Sequence, residues 1–558
     1  MRPALPALTV LALGAAVVAA LTWPLPLHLG AWHLQDAFSA SHAWVADHVF
    51  QATFGDRPLD PTAAAGYPVQ RHGPFIGLAP ILASWALRPV AGPLAAFQVI
   101  HLASLPLSAL ALWPLLRRWT DADRWTCAAA CLTFGLCPYL LSTLSIGETP
   151  KLQAWLLPLF LWATARWLDG EARGAAWLVA LTLVTGFTSP YYGLALPLVI
   201  VAHCGLVGAA RWRAGWPQRL RAAGGVALVA AALLPVYLYL SGPPRPVEEG
   251  LMRPAAAGQV GMALPLPHPV ATPRDLLLGN ALPARSPYEI VHMAYLGLPL
   301  LLGVVALLAL RRGGRGLGPG IALLLGGVLL AMGPNLALGE QFTAAPLPAT
   351  VLGWIGYPFL RGGMWFRLVV LASLGLSVLL AVAASRLPRG AWIAWALALV
   401  HVGDAVRATG PWPKPSRAVP GLRALAEMRT SMNPMDGAVL HLPLQEGPGW
   451  AESQKMLLAA VVHGRYTTGL TRDVQTPEAQ AMRRWVAEAV DAPDPAAALR
   501  ARGFRYVVLQ PMPPLPIRIS RETLTEKLGE PAGGPGLWRW DLGPATLAPL
   551  DTLPGATP

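Results

Sequence analysis

The sequence predicts a mainly helical protein, in which a polytopic bundle of about eleven transmembrane helices is followed by a small soluble α/β domain. The chain has 558 residues, of which 54% are hydrophobic and only 13% charged, and its mean hydropathy is +0.47. Soluble globular chains usually carry about 25% charged residues. Long uncharged apolar runs recur from residue 4 to residue 402, and mixed charged and apolar periodicity replaces them afterwards.

The first predicted span covers residues 4–23 and follows Arg2. Small residues at 18–20 would suit a cleavable signal, but no clear processing site follows, so we expect a retained anchor. Residues 75–87 are apolar but form too short a run to span, and we expect an interfacial or re-entrant helix there. The other predicted spans are 94–116, 125–144, 152–167, 175–188, 191–210, 225–240, 293–310, 318–336, 368–384 and 391–402.

The net charge of +13 and the pI near 10 arise from basic residues in short breaks between the apolar runs. Alternate breaks carry them, which is the positive-inside pattern, and nucleic acid is therefore not an expected partner. The pattern places the N-terminus in the cytoplasm and the outer loops 27–74, 241–290 and 339–367, with the C-terminal domain, outside the cytoplasmic membrane. The basic residues are Arg117, Arg118, Arg211, Arg213, Arg219, Arg221, Arg311, Arg312, Arg315, Arg386 and Arg389.

The predicted domains are the helix bundle at 1–405, a linker at 406–420, the α/β domain at 421–545 and a flexible tail at 546–558. The linker contains PWPKPSRAVP, and its prolines mark a break between domains. Periodicity predicts strands at 438–444, 504–509 and 537–542, and helices at 451–463, 477–489 and 495–501. We expect this domain to fold on its own and to be soluble.

Several classes of site have no support in the sequence. The four cysteines, Cys127, Cys131, Cys137 and Cys204, fall inside apolar runs, where helix packing is the expected role. No Walker loop, Ser-His-Asp order or HExxH pattern appears, which argues against a transport ATPase or a metalloprotease. No cofactor and no protein metal site are predicted, and dependence on a divalent metal stays open.

Several stretches resemble the type C glycosyltransferases, bacterial membrane enzymes that take sugars from polyprenyl-phosphate carriers outside the cytoplasmic leaflet. The membrane part carries the resemblance in TWPLPLHLG with LQDAFSASHAWVADHVF, GETPKLQAWLLPLFL, SPYYGLALPL and YPFLRGGMWFRLVVL. The C-terminal part carries it in GAVLHLPL, HGRYTTGL and GFRYVVLQ. The resemblance implies a lipid-linked sugar donor, a glycan, lipid or protein acceptor, and contact with membrane lipids.

The chemistry of such a transfer needs a base for the acceptor hydroxyl and cations for the departing phosphate. Asp36 follows the first span and matches the acidic residue of the family's first outer loop, so the resemblance implies that it is the catalytic base. An ordinary solvated carboxylate or a helix cap is the alternative. Asp47 and His48 are weaker candidates, expected on the polar face of a surface helix.

Four residues are predicted to bind the substrate: Glu148, Lys151, Arg361 and Arg367. Glu148 and Lys151 flank Pro150, and a simple ion pair or a capping role is the alternative for them. Arg361 and Arg367 sit on the predicted outer side, where guanidinium groups suit a phosphate, although snorkelling to bulk lipid headgroups is the alternative.

Other polar and aromatic groups have simpler expected roles. Tyr191, Tyr192, Trp354, Tyr357 and Trp365 are expected to form an interfacial aromatic belt. His463 is the one residue of the C-terminal part worth testing, and ending a helix is its alternative role.

Two hypotheses follow. The first is a glycosyltransferase that uses a polyprenyl-phosphate-linked sugar on the outer face. The second is a non-catalytic protein of the same architecture, a transporter or an assembly factor for envelope polysaccharide. A transporter would place ionisable groups near the middle of its spans, whereas here they lie mostly at the ends, which favours the first hypothesis.

Overall fold

The structure is a computed structural model of the chain, and it forms two compact units. We call Met1–Trp23, Ile76–Pro80 and His101–Lys414 the membrane unit, and Pro24–Phe75, Ile81–Ile100 and Pro415–Pro558 the C-terminal unit. The structure describes residues 5–36, 38–54, 77–171, 173–210, 216–240, 270–279, 293–310, 314–338, 341–351, 365–430, 437–442, 450–467, 477–510, 520–534 and 537–547.

Apolar helices dominate the chain up to residue 409, as the composition predicts. Three of the described helices, Pro93–Trp119, Trp365–Ala384 and Gly390–Thr409, are long and apolar enough to cross a membrane, and several shorter apolar helices accompany them. The helices of this part are Leu5–Leu21, Ser39–Phe54, Leu78–Ala91, Pro93–Trp119, Arg124–Gly135, Pro138–Ile146, Thr149–Leu152, Leu156–Leu168, Gly174–Thr188, Pro190–Ala210, Trp216–Leu240, Pro273–Leu278, Leu298–Leu310, Leu317–Ala331, Val369–Ala384 and Gly390–Thr409, with 3-10 turns at Leu25–Leu27 and Trp365–Leu368.

One predicted span is broken. Residues 125–144 form two helices, Arg124–Gly135 and Pro138–Ile146, which meet at an angle of 42°. Pro138 is the first residue of the second helix, and its ring nitrogen has no hydrogen to donate to the preceding turn. The predicted apolar segment is therefore present but bent, a feature that hydropathy does not register.

Two other predicted spans are shorter than expected. The helix expected at 293–310 begins at Leu298, after Gly297 with a positive φ of 84°. The helix expected at 318–336 ends at Ala331, and strands β2 (Asn335–Leu338) and β3 (Gln341–Pro346) follow as an antiparallel pair. A glycine in the left-handed region marks both limits: Gly297 precedes the first residue of one helix, and Gly333, with a φ of 76°, follows the last turn of the other.

The membrane unit is held by one large hydrophobic core. Helices Leu317–Ala331 and Val369–Ala384 approach most closely where glycines face the partner helix: a Cβ on Gly327 would lie 2.3 Å from the Ala372 nitrogen, and one on Gly375 would lie 2.4 Å from the Leu324 nitrogen. Small residues of this kind let helix backbones touch inside membranes. Cys127, Cys131 and Cys137 are at most 1% exposed, which confirms helix packing as their role. The side chain of Cys204 lies outside the described residues.

The C-terminal unit contains a four-stranded sheet in the order β5, β6, β8, β7. Its strands are β5 (Ala438–Leu442), β6 (Phe504–Leu509), β7 (Ala532–Gly534) and β8 (Leu537–Asp541). Strands β5 and β6 are parallel, and β8 runs antiparallel to both β6 and β7. The helices of this part are Leu422–Thr430, Trp450–His463, Pro477–Val490, Pro495–Ala501 and Arg521–Leu528.

The first loop and the chain after residue 414 share this unit. Strand β1 (Trp32–Leu34) pairs antiparallel with β4 (Ser416–Ala418). Helix Ser39–Phe54 packs against helix Trp450–His463, and Trp44, Leu457 and Val508 belong to the same buried cluster. The compact unit is thus wider than the predicted domain at 421–545, and whether that domain folds alone stays a prediction.

Asp47 and His48 do not lie on a solvated helix face. They are 4% and 2% exposed. The Asp47 carboxylate pairs with Arg88 at 2.5 Å and lies 3.7 Å from Arg429. His48 stacks on Trp44 with ring centroids 4.9 Å apart. The expectation of a polar surface is wrong here because the helix is enclosed by other parts of the same unit, which periodicity does not register.

Candidate functional site

A buried charged cluster in the membrane unit begins at a sharp turn of the backbone. Helix Pro138–Ile146 ends at Gly147, which has a φ of 78°, a left-handed conformation that only glycine adopts without cost. Glu148 follows and precedes the short helix Thr149–Leu152, in which Pro150 occupies the first turn. The turn places Glu148 at the start of this helix, three residues before Lys151 and within reach of it.

Glu148, Lys151 and Arg367 form this charged cluster. One carboxylate oxygen of Glu148 pairs with the Lys151 ammonium, and the other lies 3.4 Å from an Arg367 guanidinium nitrogen. Glu148 is 7% exposed and Arg367 is 5% exposed. Arg367 is therefore buried within the unit, and it does not extend toward bulk lipid headgroups.

Two tyrosines complete the cluster. The Arg367 guanidinium lies 4.2 Å from the centre of the Tyr191 ring, and the Lys151 ammonium lies 5.5 Å from it. Both cations are thus attracted to one aromatic face. The Tyr192 hydroxyl donates to the Lys151 carbonyl at 2.6 Å and fixes the backbone of that loop. Hydropathy alone predicts a membrane-interface belt for these rings, and the structure places them inside the cluster.

A second layer of polar side chains supports the same loop. The His101 ring bonds to the Thr149 hydroxyl at 2.8 Å. The Gln153 amide donates to the Ser104 hydroxyl at 2.6 Å and to the Thr149 carbonyl at 3.0 Å. His101 is not among the site residues predicted from the sequence, although an ionisable side chain inside an apolar helix is a recognised signal of function.

The cluster carries one negative and two positive side chains, so these three residues together have a net charge of +1. A guanidinium and an ammonium together are the groups that proteins use to hold phosphate oxygens. Tyr191 and Glu148 orient both groups in advance, which reduces the entropy lost when an anion binds. The arrangement is suited to a singly charged or doubly charged phosphate.

Asp36 lies in the C-terminal unit and is 2% exposed. Its Oδ1 atom accepts hydrogen bonds from the backbone nitrogens of Phe38 at 3.1 Å and Ser39 at 2.8 Å. This is the geometry of a cap at the start of helix Ser39–Phe54. The capping role weighed in the sequence analysis is therefore present, and a catalytic role for Asp36 stays a prediction.

The remaining predicted positions differ in outcome. Arg361, Trp354 and Tyr357 lie outside the described residues. Trp365 is fully buried, so its expected place in an interfacial belt is wrong. His463 ends helix Trp450–His463 and also lies 3.1 Å from His441 between their Nε2 atoms. Within the described residues, no group of three or more His, Cys, Asp or Glu side chains could hold a metal ion.

Solved structures, but no sequence relatives, are similar to this chain and indicate its fold. No protein-family model matches the chain, and no curated protein matches its sequence. ArnT from Cupriavidus metallidurans bound to undecaprenyl phosphate matches with a TM-score of 0.50 and 12% identity, over 96% of this chain and 99% of ArnT. The chain has the fold of ArnT.

A second similar structure is the arabinofuranosyltransferase AftD from Mycobacteria, with a TM-score of 0.47 and 17% identity. The match covers 96% of this chain but 40% of AftD, so this chain spans less than half of that protein. The resemblance of the sequence to the type C glycosyltransferases is confirmed as a likeness of fold. The apolar helices and this fold support a multi-pass location in the membrane.

Proposed function

We propose that this chain is a membrane glycosyltransferase that takes a sugar from a polyprenyl-phosphate carrier and passes it to a glycan, lipid or protein acceptor. The observation that carries the proposal is the buried cluster of Glu148, Lys151 and Arg367, in which two cationic side chains share one carboxylate. The shared fold with ArnT, whose structure contains undecaprenyl phosphate, supports a carrier phosphate as the anion bound there.

The topology is part of the same proposal. We place the N-terminus and the Arg-rich breaks in the cytoplasm, with about eleven spans and the C-terminal unit on the outer face. After residue 420 the chain alternates charged and apolar residues as water-soluble domains do, which is consistent with a location in an aqueous compartment. The transfer would then take place on the outer face of the cytoplasmic membrane.

In the proposed reaction, Lys151 and Arg367 bind the phosphate of the donor. The acceptor hydroxyl oxygen attacks the anomeric carbon while its proton passes to a carboxylate, for which we propose Asp36. The bond between the anomeric carbon and the phosphate oxygen breaks, and its electron pair leaves on the polyprenyl phosphate. The two cations stabilise the charge that develops on that leaving group. Arg361 is proposed as a further phosphate ligand.

The experiment uses the full chain in membranes with a defined polyprenyl-phosphate sugar, and measures transfer to endogenous acceptors by mass spectrometry. Asp36→Asn keeps the capping hydrogen bonds and removes basicity, so the rate should fall about a hundredfold or more. Arg367→Ala should weaken donor binding. Asp123→Asn is the matched control, because Asp123 also caps a helix through its carboxylate.

The result that counts against the catalytic assignment is full transfer by Asp36→Asn at normal protein level. If no transfer occurs with any donor, and loss of the protein changes only the location of lipid-linked sugars, then the chain is a transporter or an assembly factor. Equal loss in Asp36→Asn and Asp123→Asn would show that the negative charge of a capping carboxylate, and not base catalysis by Asp36, matters.

A further inference from the structure

An apolar groove crosses the surface of the membrane unit at a place that shares no residue with the charged cluster. Helices Pro190–Ala210 and Leu317–Ala331 form its sides, through Leu198, Val199 and Leu323 among others. Neighbouring side chains on the same two helices face outward: Val201 and Leu325 are each 54% exposed. Exposed leucine and valine beside an apolar groove are expected where a helix pair faces lipid.

The groove continues into a polar mouth. This mouth is a second cavity that shares Trp119, His203 and Pro319 with the groove. Its other lining residues include Arg118, Asp169 and Arg315. Trp119 and His203 stack with ring centroids 5.1 Å apart at the junction. The groove is therefore apolar along its length and charged at one end. A lipid with an ionic headgroup has the complementary arrangement of apolar and charged parts.

The charges at the mouth are unevenly matched. Arg118 donates to Asp169 at 2.5 Å and to Glu171 at 2.7 Å, and Arg166 also pairs with Glu171. Two carboxylates thus offset two guanidinium groups. Arg315 is exposed and has no ion-pair partner within the described part of the chain. A phosphate at the mouth would complete the charge balance.

Space inside the groove is maintained by a glycine. A Cβ built on Gly326, which lines the groove, would meet no atom within 4 Å, whereas one on the next residue, Gly327, would collide with helix Val369–Ala384. Gly326 thus borders open space, and a larger side chain there would fill the groove without disturbing the helix contact.

We propose that this groove binds one anionic phospholipid, with an acyl chain along helix Leu317–Ala331 and its phosphate at Arg315. The occupant follows from charge complementarity at the mouth and from apolar lining along the groove. By the positive-inside pattern the mouth lies at the cytoplasmic leaflet, opposite to the leaflet proposed for sugar transfer. Each buried methylene adds to binding, and the headgroup adds selectivity.

The test is native mass spectrometry of the purified full chain in detergent, titrated with dioleoyl phosphatidylglycerol or dioleoyl phosphatidylcholine. The wild type should bind one phosphatidylglycerol about fivefold more tightly than phosphatidylcholine. Gly326→Phe should lower the affinity for both lipids by about tenfold or more. Arg315→Gln, a change at an exposed position, should abolish the preference while keeping the binding of phosphatidylcholine.

Gly318→Phe is the matched control, because a Cβ at Gly318 also meets open space and Gly318 is not a lining residue of either cavity. It should bind both lipids as the wild type does. Unchanged binding by Gly326→Phe, or equal loss in Gly318→Phe, would overturn the proposal. Displacement of phosphatidylglycerol from the wild type, but not from Gly326→Phe, by undecaprenyl phosphate would overturn it too, and would assign the groove to the carrier.

Discussion

Glu148 holds two cations in a place that water barely reaches. Its carboxylate pairs with both Lys151 and Arg367, and the Arg367 guanidinium also lies against the Tyr191 ring. A buried ion pair adds little net stability over an apolar substitute, but loss of one partner is costly because the remaining charge is left uncompensated. This energetic balance is consistent with the proposed role of the cluster in binding phosphate.

We therefore expect Glu148→Gln to destabilise the protein by about 3 to 5 kcal/mol. Inorganic phosphate or undecaprenyl phosphate should raise the thermal midpoint of this variant more than that of the wild type, since the anion takes the place of the lost carboxylate. Thermal unfolding of the purified full chain measures both effects.

The matched control for this prediction is Glu171→Gln, because Glu171 pairs with Arg118 and Arg166 but keeps 34% of its side chain exposed. Its loss should change the thermal midpoint much less than the loss of Glu148, because water screens an exposed ion pair. A phosphate response that is equal in Glu148→Gln and in the wild type would contradict the assignment of this cluster to phosphate.

His441 and His463 form a second buried pair, in the C-terminal unit. The backbone N–H of Arg465 donates to His463 Nδ1 at 3.0 Å, so the proton of neutral His463 is on Nε2 and faces His441 Nε2. Burial lowers the pKa of His441 to about 3, and an interaction with Gln510, which favours the protonated ring, opposes this only in part. His441 is therefore neutral in the folded protein at ordinary pH.

A pH dependence of stability follows from His441. In the unfolded chain its pKa is about 6.5, so the unfolded state binds the additional proton as the pH falls from about 6.5 toward 3. Stability is fully present above about pH 6.5 and should decline below it by up to about 1.4 kcal/mol per pH unit.

Denaturant unfolding, followed by hydrogen exchange of β5 and β6, measures this decline. His441→Asn should flatten the profile below pH 6.5, which a purely structural effect of the substitution would not do. An unchanged slope in His441→Asn would show that other groups cause the loss.

At the scale of elements, the predicted helices and strands of the C-terminal part agree closely with the structure. The predicted and observed bounds are the same for strand β6, at 504–509, and for helix Pro495–Ala501. Short elements with clear periodicity and proline or glycine at their ends are determined locally. The breaks inside spans were not predicted, because the apolar composition continues across Cys137 and Pro138. A uniformly apolar run has no periodic pattern whose interruption would mark the break.

Helix Ser39–Phe54 offers a test of how the C-terminal unit is held together. Trp44 is 5% exposed and lies in one cluster with residues of the chain beyond 414. Trp44→Ala should therefore destabilise strands β5 and β6 by about 3 to 5 kcal/mol, measured by hydrogen exchange and by limited proteolysis of the full chain.

Phe54→Ala is the control for Trp44→Ala, because Phe54 is 67% exposed, and it should change exchange by less than about 1 kcal/mol. Unaltered protection of β5 and β6 in Trp44→Ala would support the prediction that residues 421–545 fold on their own.

At the scale of the whole molecule, orientation in the membrane can be tested with single cysteines. Arg315 and Arg417 are exposed, and the proposed topology puts them on opposite sides. In a Cys204→Ser background, Arg417→Cys should react with a membrane-impermeant maleimide in intact cells, and Arg315→Cys should react only after lysis.

Cys127, Cys131 and Cys137 provide a low background for this labelling because they are buried. The unsubstituted Cys204→Ser protein is the control. Labelling of Arg315→Cys and not of Arg417→Cys in intact cells would reverse the orientation, and it would also move the mouth of the lipid groove to the outer leaflet.

The sequence by itself determined that this is a membrane protein with many apolar helices and a mixed C-terminal part, because length, hydropathy and periodicity are local properties. Tertiary structure alone decided which polar residues meet. Glu148 and Arg367 are 219 residues apart in the chain, and Asp47 is enclosed by Arg88 and Arg429. Contacts of this kind depend on how helices pack. A linear pattern of hydrophobicity does not specify which helix face packs against which partner.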